Sequence, residues 1–401
     1  MFNSPKPRHF LSYSASDQFT IRTLAAECDG ILVPGTVASL QRQGTAGFVL
    51  SLSARSANTP YVIDPRFPLF QQALPVPKTS HTALAKILGD EDLVRTESPT
   101  PVQFDSNRIR RIGEQWVQFN LGYRTEEAAR FQKYAERLNE PLSLDNASSP
   151  QRILAPYFCV AGREDPWYQK SLELYESTSR AAADSIQVTR VLAAKSVEAL
   201  SELTEDGHSD DVCIWVSELD EREASAGDLS NYARTIESLG ESRRQCFALY
   251  GGCFSVILSA IGLGGSSHGI GYGEHRDWRE LPRSGPPPAR YYLPTIHRYV
   301  QQDLAQDLWD HDPALVGESV IEPPVSLGYH DLMLHSVAAR SEEIRKFSKL
   351  DIGGAIALLE MDHREFSERL GSSLDRLLVR RGSAFGEHLP RWLRALHSLH
   401  S

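Results

Sequence analysis

The chain has 401 residues, with 42 Lys and Arg against 52 Asp and Glu, a net charge of −10, and a composition that is 23% charged and 41% hydrophobic. That balance excludes a largely disordered, collagen-like or coiled-coil chain, and it argues against a protein that holds nucleic acid by bulk positive charge. The longest apolar run, residues 253–263, is interrupted by serines and falls short of the roughly 20 residues that cross a bilayer, so no membrane span is expected.

The first residues, MFNSPKPRHFLSYSASDQF, carry basic side chains with no apolar core behind them, so no secretory signal is expected and the expected location is cytoplasmic. Short β-branched or aromatic runs then alternate with helical stretches. Strands are predicted at 30–36, 61–65, 153–159, 186–193, 212–219, 246–252, 268–274 and 291–297, and residues 47–54 fit either a strand or a short helix. Asp105 and Ser106 precede an amphipathic stretch, 107–138, in which Ile109, Ile112, Trp116 and Phe119 recur at helical spacing. Pro166 opens a helix running to Ala183, and Asp228 to Ser230 open another ending near Gly240. The proline-rich stretch 281–290 reads as an extended loop.

From about Ser336 the pattern is all-helical, at 342–350, 355–370, 374–381 and 388–400. Its Arg376, Arg380, Arg381, Arg391 and Arg394 fit a solvated helix face better than a nucleic-acid contact. The alternation predicts an α/β fold, a TIM-like (β/α)8 barrel over residues 1–335, with an all-helical C-terminal extension over 336–401. Five cysteines, an odd number set mostly in apolar contexts, read as buried free thiols.

In such a barrel the functional groups gather at the C-terminal ends of the strands. That rule selects Asp64 and Arg66, then Glu218, Asp220 and Glu221, then Gly251 and Gly252. It adds His268, Tyr272, Glu274 and His275 around the seventh strand, with Tyr292 and His297 around the eighth. Asp64 lies in the apolar run TPYVIDPRFPLF, where a buried carboxylate is costly unless it works or is paired, for instance with Arg66. The acidic run 218–223 can supply a general acid or base, best Glu218 or Asp220. The glycines around Gly251, Gly252, Gly271 and Gly273 allow close backbone approach to a flat ligand or a phosphate. Residues 265–269 match G-x-S-x-G, but a strand follows the serine where the hydrolase elbow needs a helix. No phosphate-binding P-loop, complete G-x-G-x-x-G, H-E-x-x-H or C-x-x-C stands in the chain, so no nucleotide cofactor and no metal site is expected.

The segments ILVPGT (31–36), YVIDPRFPLFQ (61–71), LYGG (249–252), GIGYGE (269–274) and RYYLP (290–294) together resemble the tRNA-guanine transglycosylases and their phage and DNA-modification relatives, TIM barrels that exchange a nucleobase. The resemblance implies that Asp64 touches the incoming base and that the double glycine packs beside it. Arg290 stands where the family has its nucleophilic aspartate, and DHDPALVG (310–317) stands where its cysteine-rich zinc site would lie. Displacing a base needs a nucleophile or charge stabiliser and an acid for the leaving base. Asp64, Glu218 and Glu274 are therefore the expected catalytic groups. Arg66, Asp220, His268, Tyr272, Tyr292, His297 and the four glycines are expected to bind substrate. The expected partner is a purine-type nucleobase or nucleoside, free or within tRNA or DNA. A catalytically degenerate barrel that binds nucleic acid or protein is the second expectation, and an unrelated barrel hydrolase or lyase acting on a small phosphorylated or sugar-like substrate is the third.

Overall fold

The computed structural model describes residues 6–56, 58–125, 128–205, 211–242, 245–271, 273–279, 290–317 and 322–400. Nine short strands form one parallel sheet: β1 (Arg8–Ser12), β2 (Gly30–Pro34), β3 (Tyr61–Asp64), β4 (Ile153–Leu154), β5 (Cys159–Val160), β6 (Val188–Ala194), β7 (Val212–Val216), β8 (Cys246–Ala248) and β9 (Leu263–Gly269). They are ordered β4-β3-β2-β1-β9-β8-β7-β6-β5, and β4 also pairs with β6. The sheet is thereby a closed eight-stave parallel barrel surrounded by helices. β4 and β5 succeed one another along a single stave: both pair with β6, and Pro156 between them has no N–H to continue the ladder. Runs such as Val212–Val216, buried at every position, are what a parallel sheet covered on both faces requires.

The TIM-like barrel and the C-terminal helices agree with the sequence reading, while two strand assignments are corrected. The eighth stave is β1, from RHFLS, whose polar N-terminal surroundings hide it in the sequence. Residues 291–297 lie outside the barrel: β10 (Tyr291–Leu293) pairs antiparallel with β11 (Arg298–Val300) as a separate hairpin. The strand predicted at 268–274 runs earlier, at β9, where Gly265 at φ 148° brings its backbone against that of Arg8. Residues 47–54 are helical, within Arg42–Ser53.

Helix starts follow capping chemistry. Asp105 accepts the Arg108 N–H at 2.8 Å and opens Ser106–Leu121, which buries the predicted Ile109, Ile112, Trp116 and Phe119. The amphipathic stretch breaks after Gly122 and resumes at Ala128–Leu138. Ser225 Oγ accepts the Asp228 N–H at 3.1 Å, starting Ala226–Glu241 ahead of the predicted Asp228. At the C-terminus stand Tyr329–Phe347, Ile352–Gly371, Arg376–Gly386 and His388–His400. Of the proline-rich stretch 281–290, only Arg290 falls within the described residues. All five cysteines are free thiols, four of them buried. Among the described residues no helix is long and apolar enough to cross a membrane.

The chain divides into two compact units, one built mainly from Phe10–Glu218 with Arg276–Arg283, the other from Phe2–His9, Leu219–His275 and Ser284–Ser401.

Candidate functional site

In the first unit, Asp64 is the last residue of β3 and is fully buried. Its Oδ1 accepts the Arg66 N–H at 3.0 Å and the Tyr157 hydroxyl at 2.8 Å, and its Oδ2 pairs with Arg66 Nε at 2.7 Å and Arg276 Nη1 at 3.8 Å. Burial pushes this carboxyl up, but the two guanidiniums and the donated hydrogen bonds outweigh it and hold it below the ordinary range. Asp64 is thus a charged anchor rather than a proton donor. Arg66 reaches it from a left-handed backbone (φ 54°), a conformation that costs a non-glycine residue about 1–3 kcal/mol and persists where surrounding contacts fix it. Arg276 also lies over the Trp215 ring, 5.5 Å from its centroid. Glu218 is more than half exposed and pairs with Arg279 at 3.5 Å, a rim contact of small energetic weight.

The second unit holds the denser constellation. Glu221 is buried, in the loop that leads to Ala226–Glu241. Its Oε1 accepts both the N–H and the hydroxyl of Ser255, and the Gly252 backbone also hydrogen-bonds to the carboxylate. Glu274, also buried, bonds to Arg340 of helix Tyr329–Phe347. The two carboxylates converge on one point: a methyl group added at Gly252 would lie 2.7 Å from Glu221 Oε2 and 3.3 Å from Glu274 Oε2. Only glycine leaves that space to the oxygens. Burial, with the nearby charge of Glu274, pushes the Glu221 carboxyl up to about 7. Burial raises Glu274 as well, with Arg340 pulling it back. Glu221 differs from Glu274 in having no arginine bonded to its carboxylate, while Glu274 bonds to Arg340.

Arg340, 1% exposed, extends this network. Its Nε lies 3.5 Å from Glu343 Oε2, its guanidinium stands over the Tyr292 ring, and its buried Nη1 has no hydrogen-bond partner among the described residues. Tyr292 donates its hydroxyl to both Glu343 oxygens at 2.9 Å. His297 completes the chain, with Nδ1 2.6 Å from Glu343 Oε1 and Nε2 3.2 Å from Asp362 Oδ2. Burial alone would lower the His297 pKa, but Cys253, Glu343 and Asp362 hold it well above its usual value.

The predicted residues therefore separate. Glu274, Gly252, Tyr292 and His297 meet in the second unit, joined by Glu221, Arg340, Glu343, Cys253 and Asp362. Gly251 packs beside Ser255, and Gly271 and Gly273 take positive φ beyond β9. Asp220 is spent on a forked ion pair with Arg222, at 3.0 and 2.8 Å. His268 is buried inside β9, with Nε2 2.7 Å from His9 Nε2 and Nδ1 2.8 Å from Gly269 O. Tyr272 lies outside the described residues. Arg340 and Glu343 carried one legible signal, their i,i+3 spacing on a helix; nothing local marked Cys253 or Asp362. No family model matches the chain, and no curated protein matches it.

Proposed function

We propose that the chain is a transglycosylase-like enzyme that exchanges a purine-type base at the sugar carbon of a nucleoside or of a residue in nucleic acid. The observation that carries the reading is the convergence of Glu221 and Glu274 over Gly252. Glu274, paired with Arg340, attacks the anomeric carbon through its carboxylate as the carbon–nitrogen bond breaks, and the Glu221 proton passes to the departing base nitrogen. An incoming base then returns its proton to Glu221 as its nitrogen displaces Glu274. Both oxygens lie so close to one point that they stand nearer each other than the roughly 6.5–9.5 Å of inverting carboxyl pairs, which predicts retention at the anomeric carbon. Base identity and the polynucleotide rest on the segment resemblance. Asp64 and Glu218 are left out of this chemistry, because Asp64 is saturated by its arginines and Glu218 faces solvent.

The binding-module reading ranks second. Arg381 of the basic tail is already paired with Asp303 and Asp307, and Arg391 bonds to the Arg222 carbonyl. The test is incorporation of labelled guanine and 7-deazapurines into nucleosides, tRNA and DNA. Glu221→Gln and Glu274→Gln are each expected to lower the rate at least about 100-fold. Wild-type rates in both folded variants would remove the proposed chemistry.

A further inference from the structure

Independently of that reading, we propose that Cys253, His297 and Glu343 form a binding site for a divalent transition ion of the zinc class, with Asp362 as the outer carboxylate that orients the histidine. One ligand atom from each of the three lies within 4.8 Å of the others, and all three residues are buried. Thiolate, imidazole and carboxylate are the donors that a borderline-soft ion such as Zn2+ takes together, and three protein ligands leave its fourth position for water or a ligand. Hard ions such as Mg2+ and Ca2+ are disfavoured by the sulfur.

Two further observations point to an ion. The first is the wiring of the ring. Nδ1 faces the proposed ion position beside Glu343, while Nε2 faces Asp362 at 3.2 Å, which is the carboxylate–histidine–metal arrangement in which the outer acid fixes the tautomer. His297 holds this orientation from a left-handed backbone (φ 54°) immediately before β11, a strained conformation of the kind that clusters at ligand clamps. The second is access. His297, Glu343 and Asp362 line a pocket of ≈ 720 Å3 together with His335, Glu342 and Lys346, so two of the three proposed ligands border open space from which an ion can reach them.

The exchange balances. As two metal–ligand bonds form to Sγ and Nδ1 and a third to a Glu343 oxygen, the thiol proton and the ring proton shared with Glu343 leave to solvent, and nothing is oxidised or reduced. Cys253 is buried and within hydrogen-bonding reach of His297.

The test uses the full chain, stripped with chelator and titrated with Co2+ and then Zn2+. Wild type is expected to bind one Co2+ per chain with a near-ultraviolet thiolate-to-cobalt band that Zn2+ displaces. Cys253→Ser is expected to lose that band, and Asp362→Asn, which leaves all three ligands in place, is expected to bind about 10–100-fold more weakly. Circular dichroism confirms that each variant is folded. If Cys253→Ser does not fold, His297→Gln replaces it, with loss of stoichiometric binding expected. Absence of a thiolate band in wild type, or binding unchanged in the folded ligand variants, overturns the site.

Discussion

Glu221 and Gly252 show how much depends on single positions. A carboxyl raised from 4.5 to about 7 by burial contributes its full stability below pH 4.5 and loses it as pH rises through 7, because the folded chain then carries a buried charge that the unfolded chain solvates. Glutamine at 221 does not titrate. The stability of wild type relative to Glu221→Gln should therefore fall by up to about 3 kcal/mol between pH 4.5 and 8, because a tenfold change in proton affinity is worth roughly 1.4 kcal/mol. Parallel denaturant curves for the two proteins across that range would contradict the raised value. Gly252 has φ −96°, which alanine accepts, so any cost of Gly252→Ala comes from the carboxylates and not the backbone. A loss of about 1–3 kcal/mol in chemical denaturation, with exchange activity abolished, is expected; a neutral outcome would mean the oxygens are not held where they stand. Little of this is readable from the sequence. The acidic run 218–223 is visible there, but whether Glu218 or Glu221 turns inward depends on Ser255, distant in sequence.

At the scale of elements, the helix Tyr329–Phe347 does what the barrel strands alone do not, carrying Arg340 and Glu343 on one inward face. Arg340→Leu keeps most of the packing but leaves Glu274 and Glu343 without their shared cation. It should cost about 3–5 kcal/mol, the magnitude for removing one partner of a buried pair, and a melting temperature like that of wild type would refute the network. The helix His388–His400 anchors the same region, as Trp392 Nε1 donates to the Glu221 carbonyl at 2.7 Å and packs on Phe254. Helices were legible where a cap or an N-terminal proline preceded a long apolar period, as at Asp105 and Pro166, whereas the short helix Val197–Thr204, capped by Ser196, was not read. The misread elements have physical causes. RHFLS mixes Arg, His and Ser into a strand flanked by polar residues and so does not register by composition, and YYLPTI has strand composition yet pairs only within its own hairpin, a choice that sequence periodicity does not encode.

For the whole molecule, the alternation of apolar runs and helices was enough to foresee a parallel barrel with helices following it, since a strand buried on both faces has few other architectures. Fold alone names no reaction. The proposed base and sugar rest on the segment resemblance alone; the side chains hold a raised carboxyl at Glu221, an arginine-paired carboxylate at Glu274 and a cysteine–histidine–glutamate cluster. Asp64 illustrates the difference between position and role: it stands at a strand end as expected, yet its carboxylate is committed to Arg66, Arg276 and Tyr157.

The most direct test of the central claim is a single-turnover assay of labelled purine exchange, comparing wild type with Glu221→Gln and Glu274→Gln on a nucleoside, a tRNA and a DNA duplex. The account predicts exchange by wild type with retained anomeric configuration, on at least one of these substrates, and a loss of at least about 100-fold in each folded variant. Exchange that persists in both variants, or wild-type protein that exchanges no base on any of the three, would contradict it.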